Sequence, residues 1–227
     1  MESLMVKWSY SSLSLFQQCP RKYHRLRVVG DIKQETSEAM MYGTDVHAAA
    51  EVYVRDEKPL PKKFEQFKRY LDIFKSIEGV NYCEYRMGLT RELEPCKFGS
   101  PKAWWRGIAD LIITYQEDSA YVIDYKTGKS ARFADIKQLA ILSLATFKHF
   151  PEVNYIKAGL VFLVSGDLIK TEYVRTQVEE IWDKFSFDVS RLEKAYECDV
   201  WNPKQNFTCR NYCPVVDCEH NGRSMYE

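Results

Sequence analysis

The sequence predicts an α/β fold, in the α+β sense of one mixed sheet with helices before, across and after it. Three observations carry that reading. Apolar residues recur at helical spacing through the first third of the chain, β-branched and aromatic residues cluster in short runs between residues 80 and 174, and helical period returns at 135–150 and 176–197. With 227 residues, 45% hydrophobic and 14% aromatic, the chain is long enough for one sizeable core, and ten glycines with eight prolines are too few for a low-complexity linker. A single domain is expected over 1–227, with a helical part at 1–78, a sheet and crossing helix at 79–175, and a helix and cysteine-rich cap at 176–227.

Each element has a local reason. Leu13, Phe16, Tyr23 and Leu26 place two short helices over 9–27, divided at Pro20. Residues 37–57 read as a helix through Met40, Met41, Val46, Ala48, Ala49, Val52 and Tyr53, and 61–77 as another with Phe64, Phe67, Leu71 and Phe74 on one stripe. Strands follow at 80–89, 104–115 and 120–126, the last two joined into a hairpin by Gln116-Glu117-Asp118-Ser119. The helix at 135–150 carries Ile136, Leu139, Leu142 and Phe147, and Ser165-Gly166-Asp167 joins 157–164 to 168–174 as a second hairpin.

Lysine and arginine number 32 and so do aspartate and glutamate, so no global basic field draws the chain to polyanions, and any nucleic-acid contact must come from local patches. Seven cysteines, an odd number, with no opening apolar run of signal-peptide length, point to a reducing, cytoplasmic compartment rather than a disulfide framework.

The hairpin at 104–128 concentrates charge. Asp124 and Lys126 share one strand face while Tyr125 points to the other, and a turn between Glu117 and Asp118 brings Asp110 opposite residue 124 or 125. Two carboxylates and a lysine then converge among Ile108, Leu111, Ile112, Ile113, Val122 and Ile123, where charges are costly unless they act together. A divalent cation relieves the repulsion between two carboxylates, and oxygen ligation suits Mg²⁺ or Mn²⁺. Lys126 would orient or deprotonate the attacking water, or offset charge on a phosphate. A surface ion pair explains the same residues more plainly. His47 and Glu51 share a helix face beside small residues, Gln138 opens the helix after the lysine strand, and Lys126, Lys129, Arg132 and Lys137 form a basic rim suited to a phosphodiester backbone.

Cys209, Cys213 and Cys218 place three thiols within ten residues of an irregular tail, which points to a soft metal or an iron–sulfur cluster. The fourth ligand is either Cys19 or His220, the latter giving a zinc site of three cysteines and one histidine. Cys83, Cys96 and Cys198 read as packing residues. Arg21, Lys22, His24, Arg25 and Arg27 with Tyr23 form a basic helix that can track a phosphate backbone while Tyr23 stacks on a base, and a solvated helix face is the bland alternative. Trp104 and Trp105, at the hairpin mouth, are either core or stacking platform.

The order Gly43-Thr44-Asp45-Val46-His47, Gly107-Ile108-Ala109-Asp110, Ile123-Asp124-Tyr125-Lys126-Thr127-Gly128-Lys129 and Gln138 resembles the PD-(D/E)XK nuclease superfamily, in its RecB-like exonuclease branch, which includes CRISPR-associated and phage exonucleases. The opening Ser9-Tyr10-Ser11-Ser12-Leu13-Ser14 through Phe16-Gln17-Gln18-Cys19-Pro20-Arg21-Lys22-Tyr23 is similar to that branch's N-terminal motif, so the resemblance runs from about 9 to 218. It implies a single restriction-endonuclease-like nuclease core. The implied activity is that of a divalent-metal-dependent deoxyribonuclease, an exonuclease ahead of an endonuclease. Single-stranded DNA or DNA ends would be the substrate, in repair, recombination, replication or phage DNA metabolism. His47, Asp110, Asp124 and the main-chain carbonyl of Tyr125 would hold Mg²⁺ or Mn²⁺, with Glu84 as a further ligand, Lys126 as the catalytic lysine and Gln138 positioning it. The branch usually carries a tyrosine four residues after the glutamine, where this chain has Leu142.

Iron–sulfur members of the branch combine one N-terminal cysteine in a Cys-Pro context with three at the C-terminus, which implies a 4Fe–4S cluster on Cys19, Cys209, Cys213 and Cys218 that staples the chain ends. Here three and four residues intervene, where two and five are common, with the same first-to-third distance. DNA contacts would fall on Arg21, Lys22, Tyr23, Arg25, Lys129 and Arg132. A homo-oligomer, or a recombination or replication protein as partner, is compatible with the family. Two rivals are a decayed DNA-binding accessory protein on the same fold and a zinc-stabilised interaction module.

Overall fold

A six-stranded sheet organises the chain in the computed structural model, which describes residues 6–33, 36–132 and 134–222. Its strands are β1 (Val80–Leu89), β2 (Pro95–Lys97), β3 (Trp105–Tyr115), β4 (Ser119–Lys126), β5 (Tyr155–Phe162) and β6 (Leu168–Val174), in the order β2-β1-β3-β4-β5-β6. All neighbours are antiparallel except β4 and β5, which run parallel and need the crossover that α5 (Lys137–His149) supplies. The mixed α/β class is as the sequence predicts. The short edge strand β2 was not anticipated; its three residues are too few to show a period.

Two compact units make up the chain: Ser37–Lys184, and Met1–Thr36 with Phe185–Glu227. The ends at 1–5 and 223–227, which the expected domain span includes, lie outside the described residues.

In the first unit, α3 (Glu38–Arg55) starts at Ser37, whose side chain accepts the Met40 amide, and buries Val46, Ala50, Tyr53 and Val54 against Leu111, Ile113, Ile123 and Tyr125 of the sheet. The segment expected as one helix over 61–77 splits into a 3-10 helix at Lys62–Phe67 and α4 (Lys68–Lys75). Phe64 and Phe67, three apart, eclipse in 3-10 geometry and stack at 6.1 Å, which suits that tighter winding. Leu139 to Phe147 of α5 are buried without interruption, including Leu142, so that position is core. Arg175 caps the far end of α5, donating to the carbonyls of Phe147 (2.7 Å), Phe150 (2.7 Å) and Val153.

The second unit holds α1 (Tyr10–Gln18), α2 (Pro20–Tyr23), a π-helical turn at His24–Val29 and the later part of α6 (Val178–Cys198). Ser9 and Ser12 close a capping box on α1, and Cys19 ends α1 and caps α2, accepting the Lys22 amide on its sulfur, with Pro20 at the first helical position.

Candidate active site

The β3–β4 hairpin pairs Leu111 with Ile123 and Tyr115 with Ser119, so its turn centres on Glu117 and its register sets Asp110 against Asp124, as alternation predicts. The side chains nevertheless divide into two adjoining groups.

In one group, Asp124, Lys126 and Gln138 close a ring. Lys126 Nζ lies 2.6 Å from Asp124 Oδ2 and donates to Gln138 Oε1 at 2.8 Å, while Gln138 Nε2 donates to Asp124 Oδ1 at 2.5 Å. Gln138 thus reaches back from the first turn of α5, as expected. Asp124 is 3% exposed, and that burial, reinforced by Asp110 and opposed by Lys126, pushes its carboxyl up to about 6.

In the other, Asp110 Oδ2 accepts the Tyr125 amide at 2.6 Å and Oδ1 lies 3.2 Å from His47 Nδ1. Glu84 completes this group: among the described residues, His47, Glu84 and Asp110 bring ligand atoms within 4.8 Å of one another. Burial alone would lower the His47 pKa, but the Asp110 carboxylate outweighs it and the net shift is upward. Burial and the adjacent Asp110 both raise Glu84. Glu51, four residues after His47 on α3, pairs with Arg55.

A break in strand alternation creates this second group. Tyr82 and Tyr85 both set their rings against Phe150 at the end of α5, at 5.0 and 5.2 Å, whereas Cys83 packs on the α3 side. Spacings of three and one on opposite faces cannot occur in an uninterrupted strand. Glu84 absorbs the reversal with φ +49°, and the β1–β3 ladder passes from Cys83–Leu111 to Tyr85–Ala109 around Glu84 and Asp110. A glutamate in the left-handed region costs about 1–3 kcal/mol, a strain that collects at functional positions. Two glycines of the motifs answer to close approach: a Cβ at Gly107 would meet the Trp105 ring at 2.3 Å, and one at Gly43 would meet Thr127 Oγ1 at 3.3 Å, so α3 lies close over the segment after Lys126.

The raised Asp124 pKa has a sign that can be checked. The unfolded carboxyl titrates near about 3.9, so the folded state holds the proton more tightly, and this contribution to stability is full below about pH 4 and lost as pH rises through 6. In chelator, Asp124→Asn is therefore expected to be more stable than the wild type by about 1–3 kcal/mol at pH 7, with the gap closing by pH 4 in urea melts.

Four thiols surround a second cavity. Cys19, Cys209, Cys213 and Cys218 line it together with His220, Arg21, Lys22 and Lys204. Cys19 Sγ accepts the amides of Lys22 (3.5 Å) and Lys204 (3.4 Å), and Cys209 Sγ accepts that of Asn206 (3.4 Å). The donor set fits a soft metal or an iron–sulfur group.

Several sequence expectations need correction. Tyr23 is 2% exposed, stacked on Trp201 and bonded to Tyr196, so its ring is not available to a base. Arg25 is held by Asp31 and Asp217, and Arg21 by Glu219, so the cations of α2 face carboxylates of their own chain. Lys22 donates to Gln18, while Lys129 and Arg132 are exposed in the segment after β4. Trp104 and Trp105 are both core. Cys198 is exposed and so is not a packing residue; Cys83 and Cys96 are half-buried.

Residues 7–81 match the family model of the PD-(D/E)XK nuclease superfamily, and with the fold and the two adjoining groups this supports a PD-(D/E)XK nuclease. Nucleases of that superfamily use divalent metals. The chain is similar to a solved structure of a candidate exonuclease from Eubacterium rectale, at 13% identity and TM-score 0.58, over 93% of this chain and 88% of that one. It is also similar to the solved structure of SSO0001, at 14% identity and TM-score 0.50, over 95% and 87%. At these identities the likeness is one of fold. No curated protein matches the chain. No helix among the described residues is long and apolar enough to cross a membrane.

Proposed function

We propose that the chain is a divalent-metal-dependent deoxyribonuclease, an exonuclease acting on single-stranded DNA or DNA ends. The observation that carries the reading is the carboxylate–imidazole group His47, Glu84 and Asp110 set beside the Asp124–Lys126–Gln138 ring. Three ligand atoms lie within 4.8 Å of one another, two of them from acids, and one of those carboxyls is pushed upward by burial and by the other's charge, a donor set suited to a hard divalent cation. His47, Glu84 and Asp110 would hold Mg²⁺ or Mn²⁺, with Asp124 and the Tyr125 carbonyl adjoining. Such an ion supplies Lewis acidity and a nucleophilic hydroxide.

This chain's own residues do the rest. Lys126 stands beside Asp124 to orient the attacking water and offset charge gathering on the phosphate, and Gln138, bonded to both, fixes their rotamers. Asp110, bonded to the Tyr125 amide, is held in place by β4. The decayed-accessory reading predicts metal affinity without cleavage. End-labelled single- and double-stranded oligonucleotides, linear and circular, with Mg²⁺, Mn²⁺ or chelator, separate these outcomes: cleavage confined to linear strands with metal supports an exonuclease, and cutting of circles an endonuclease.

In the same reading Cys19, Cys209, Cys213 and Cys218 hold a 4Fe–4S cluster, with zinc on the three C-terminal cysteines and His220 as the rival.

Glu84 offers a test of the metal group that does not rest on cleavage. Glu84→Gly removes the left-handed strain and the repulsion with Asp110, so in chelator the variant is expected to be more stable by about 1 kcal/mol. Its Mn²⁺ affinity, read by calorimetry, is expected to fall by about tenfold or more. Unchanged affinity removes Glu84 from the ligand set.

A further inference from the structure

The sheet ends on β6, whose outer edge pairs with no strand among the described residues. The Phe162 amide donates to the Asp167 carbonyl and the Arg175 amide to the Asn154 carbonyl. By the alternation of an antiparallel ladder, Ile169, Thr171 and Tyr173 then bond to β5 through the backbone, and Leu168, Lys170, Glu172 and Val174 turn their backbone groups outward. The side chains of those four share one face and are exposed, Leu168 at 46% and Val174 at 41%. An open edge of seven residues without proline is one that another strand can extend, and a lone lysine is a common guard against it. Here the lysine is not alone. Lys170 stands across from Gly159 of β5, which has no side chain to meet it, and Glu172 follows two residues on, accepting the Tyr155 hydroxyl.

The strand Leu168-Ile169-Lys170-Thr171-Glu172-Tyr173-Val174 is self-complementary about Thr171. Antiparallel pairing centred there sets Lys170 against Glu172 of a second copy, Leu168 against Val174 and Ile169 against Tyr173, each pair occurring twice by symmetry. It also brings outward backbone groups onto outward ones, so each Lys170–Glu172 pair exchanges both amide–carbonyl bonds. A shift of one residue sets outward groups against those already bonded to β5. A shift of two sets Lys170 on Lys170 or Glu172 on Glu172, and like charges directly opposite are unfavourable. The Val174 amide is taken by Gln177 Oε1 at 3.0 Å, so the new ladder is short and the pairing reversible.

We infer that β6 is the interface for a second copy of this chain, the two sheets joining edge to edge about a two-fold axis at Thr171 with Lys170 and Glu172 selecting the register. The inference is independent of the nuclease reading, and its test does not use cleavage. Sedimentation equilibrium of the full chain is expected to show a reversible dimer with a dissociation constant of about 10–100 µM, as suits a small interface. Lys170→Glu and Glu172→Lys each set like charges opposite one another in both pairs, and each is expected to weaken the dimer about tenfold or more. The double variant Lys170→Glu/Glu172→Lys exchanges the charges and is expected to dimerise as the wild type does. An equimolar mixture of the two single variants is expected to dimerise as well, because every glutamate of one then meets a lysine of the other. Both side chains are exposed, so thermal melts at dilute concentration are expected to match the wild type. A wild type that sediments as a monomer throughout that range, single variants that dimerise unchanged, or a mixture that stays monomeric overturns the inference.

Discussion

Lys126→Ala and Asp110→Ala each lower cleavage at saturating Mg²⁺ by at least about 10³-fold, with the far-ultraviolet circular dichroism of the wild type retained. The two losses have different causes, and binding distinguishes them. Asp110 sits within 4.8 Å of His47 and Glu84 through its ligand oxygen, so its removal is expected to abolish Mn²⁺ binding as well. Lys126 touches Asp124 and Gln138 and contributes no ligand, so Lys126→Ala is expected to bind Mn²⁺ as the wild type does. Its removal also withdraws the cation that opposes the upward shift at Asp124, so the residual rate of the variant is expected to decline from a higher pH than in the wild type. A Lys126→Ala enzyme that cuts at the wild-type rate removes the lysine from the mechanism.

Anaerobically purified protein is expected to be brown, with absorbance near ~400 nm that Cys213→Ser removes. The four cysteines join segments from opposite ends of the chain around one cavity, and a cross-link closing so long a loop is worth about 4–5 kcal/mol by chain entropy alone. Bleaching by a chelating oxidant is therefore expected to lower the melting temperature. The Arg21–Glu219 and Arg25–Asp217 pairs, both exposed, add little to that hold. Colourless protein with stoichiometric zinc, lost on His220→Ala, establishes the zinc site in place of the cluster.

Local rules were enough for much of this. The β3–β4 hairpin and the shared face of Asp124 and Lys126 follow from a period of two and a polar turn, and both need only neighbours in sequence. The reach of Gln138 follows from its place in the first turn of the next helix. What escaped depends on partners distant in sequence or on a break in the rule. Tyr23 stands among cations and so read as solvent-facing, yet its ring partners, Tyr196 and Trp201, come from the other end of the chain. The resemblance brought His47, Asp110 and Glu84 together, but the left-handed backbone at Glu84 that interrupts the alternation of β1 has no periodicity to announce it. The one available signal was a glutamate between Cys83 and Tyr85 in a run of strand formers.

The composition of the two units also bears on the order in which the protein assembles. Ser37–Lys184 is continuous, and its sheet can close once β6 has been synthesised. The other unit draws on both ends, so the apolar face of α1, with Leu13 and Phe16, stays without its later partners until residues past 185 emerge. During that interval the newly made chain carries a finished catalytic sheet and an open N-terminal helix pair, a stage at which a chaperone or the metal-loading machinery would meet Cys19 alone. A metal or cluster proposed for Cys19, Cys209, Cys213 and Cys218 would then enter late, after release of the last of these cysteines rather than while the sheet folds.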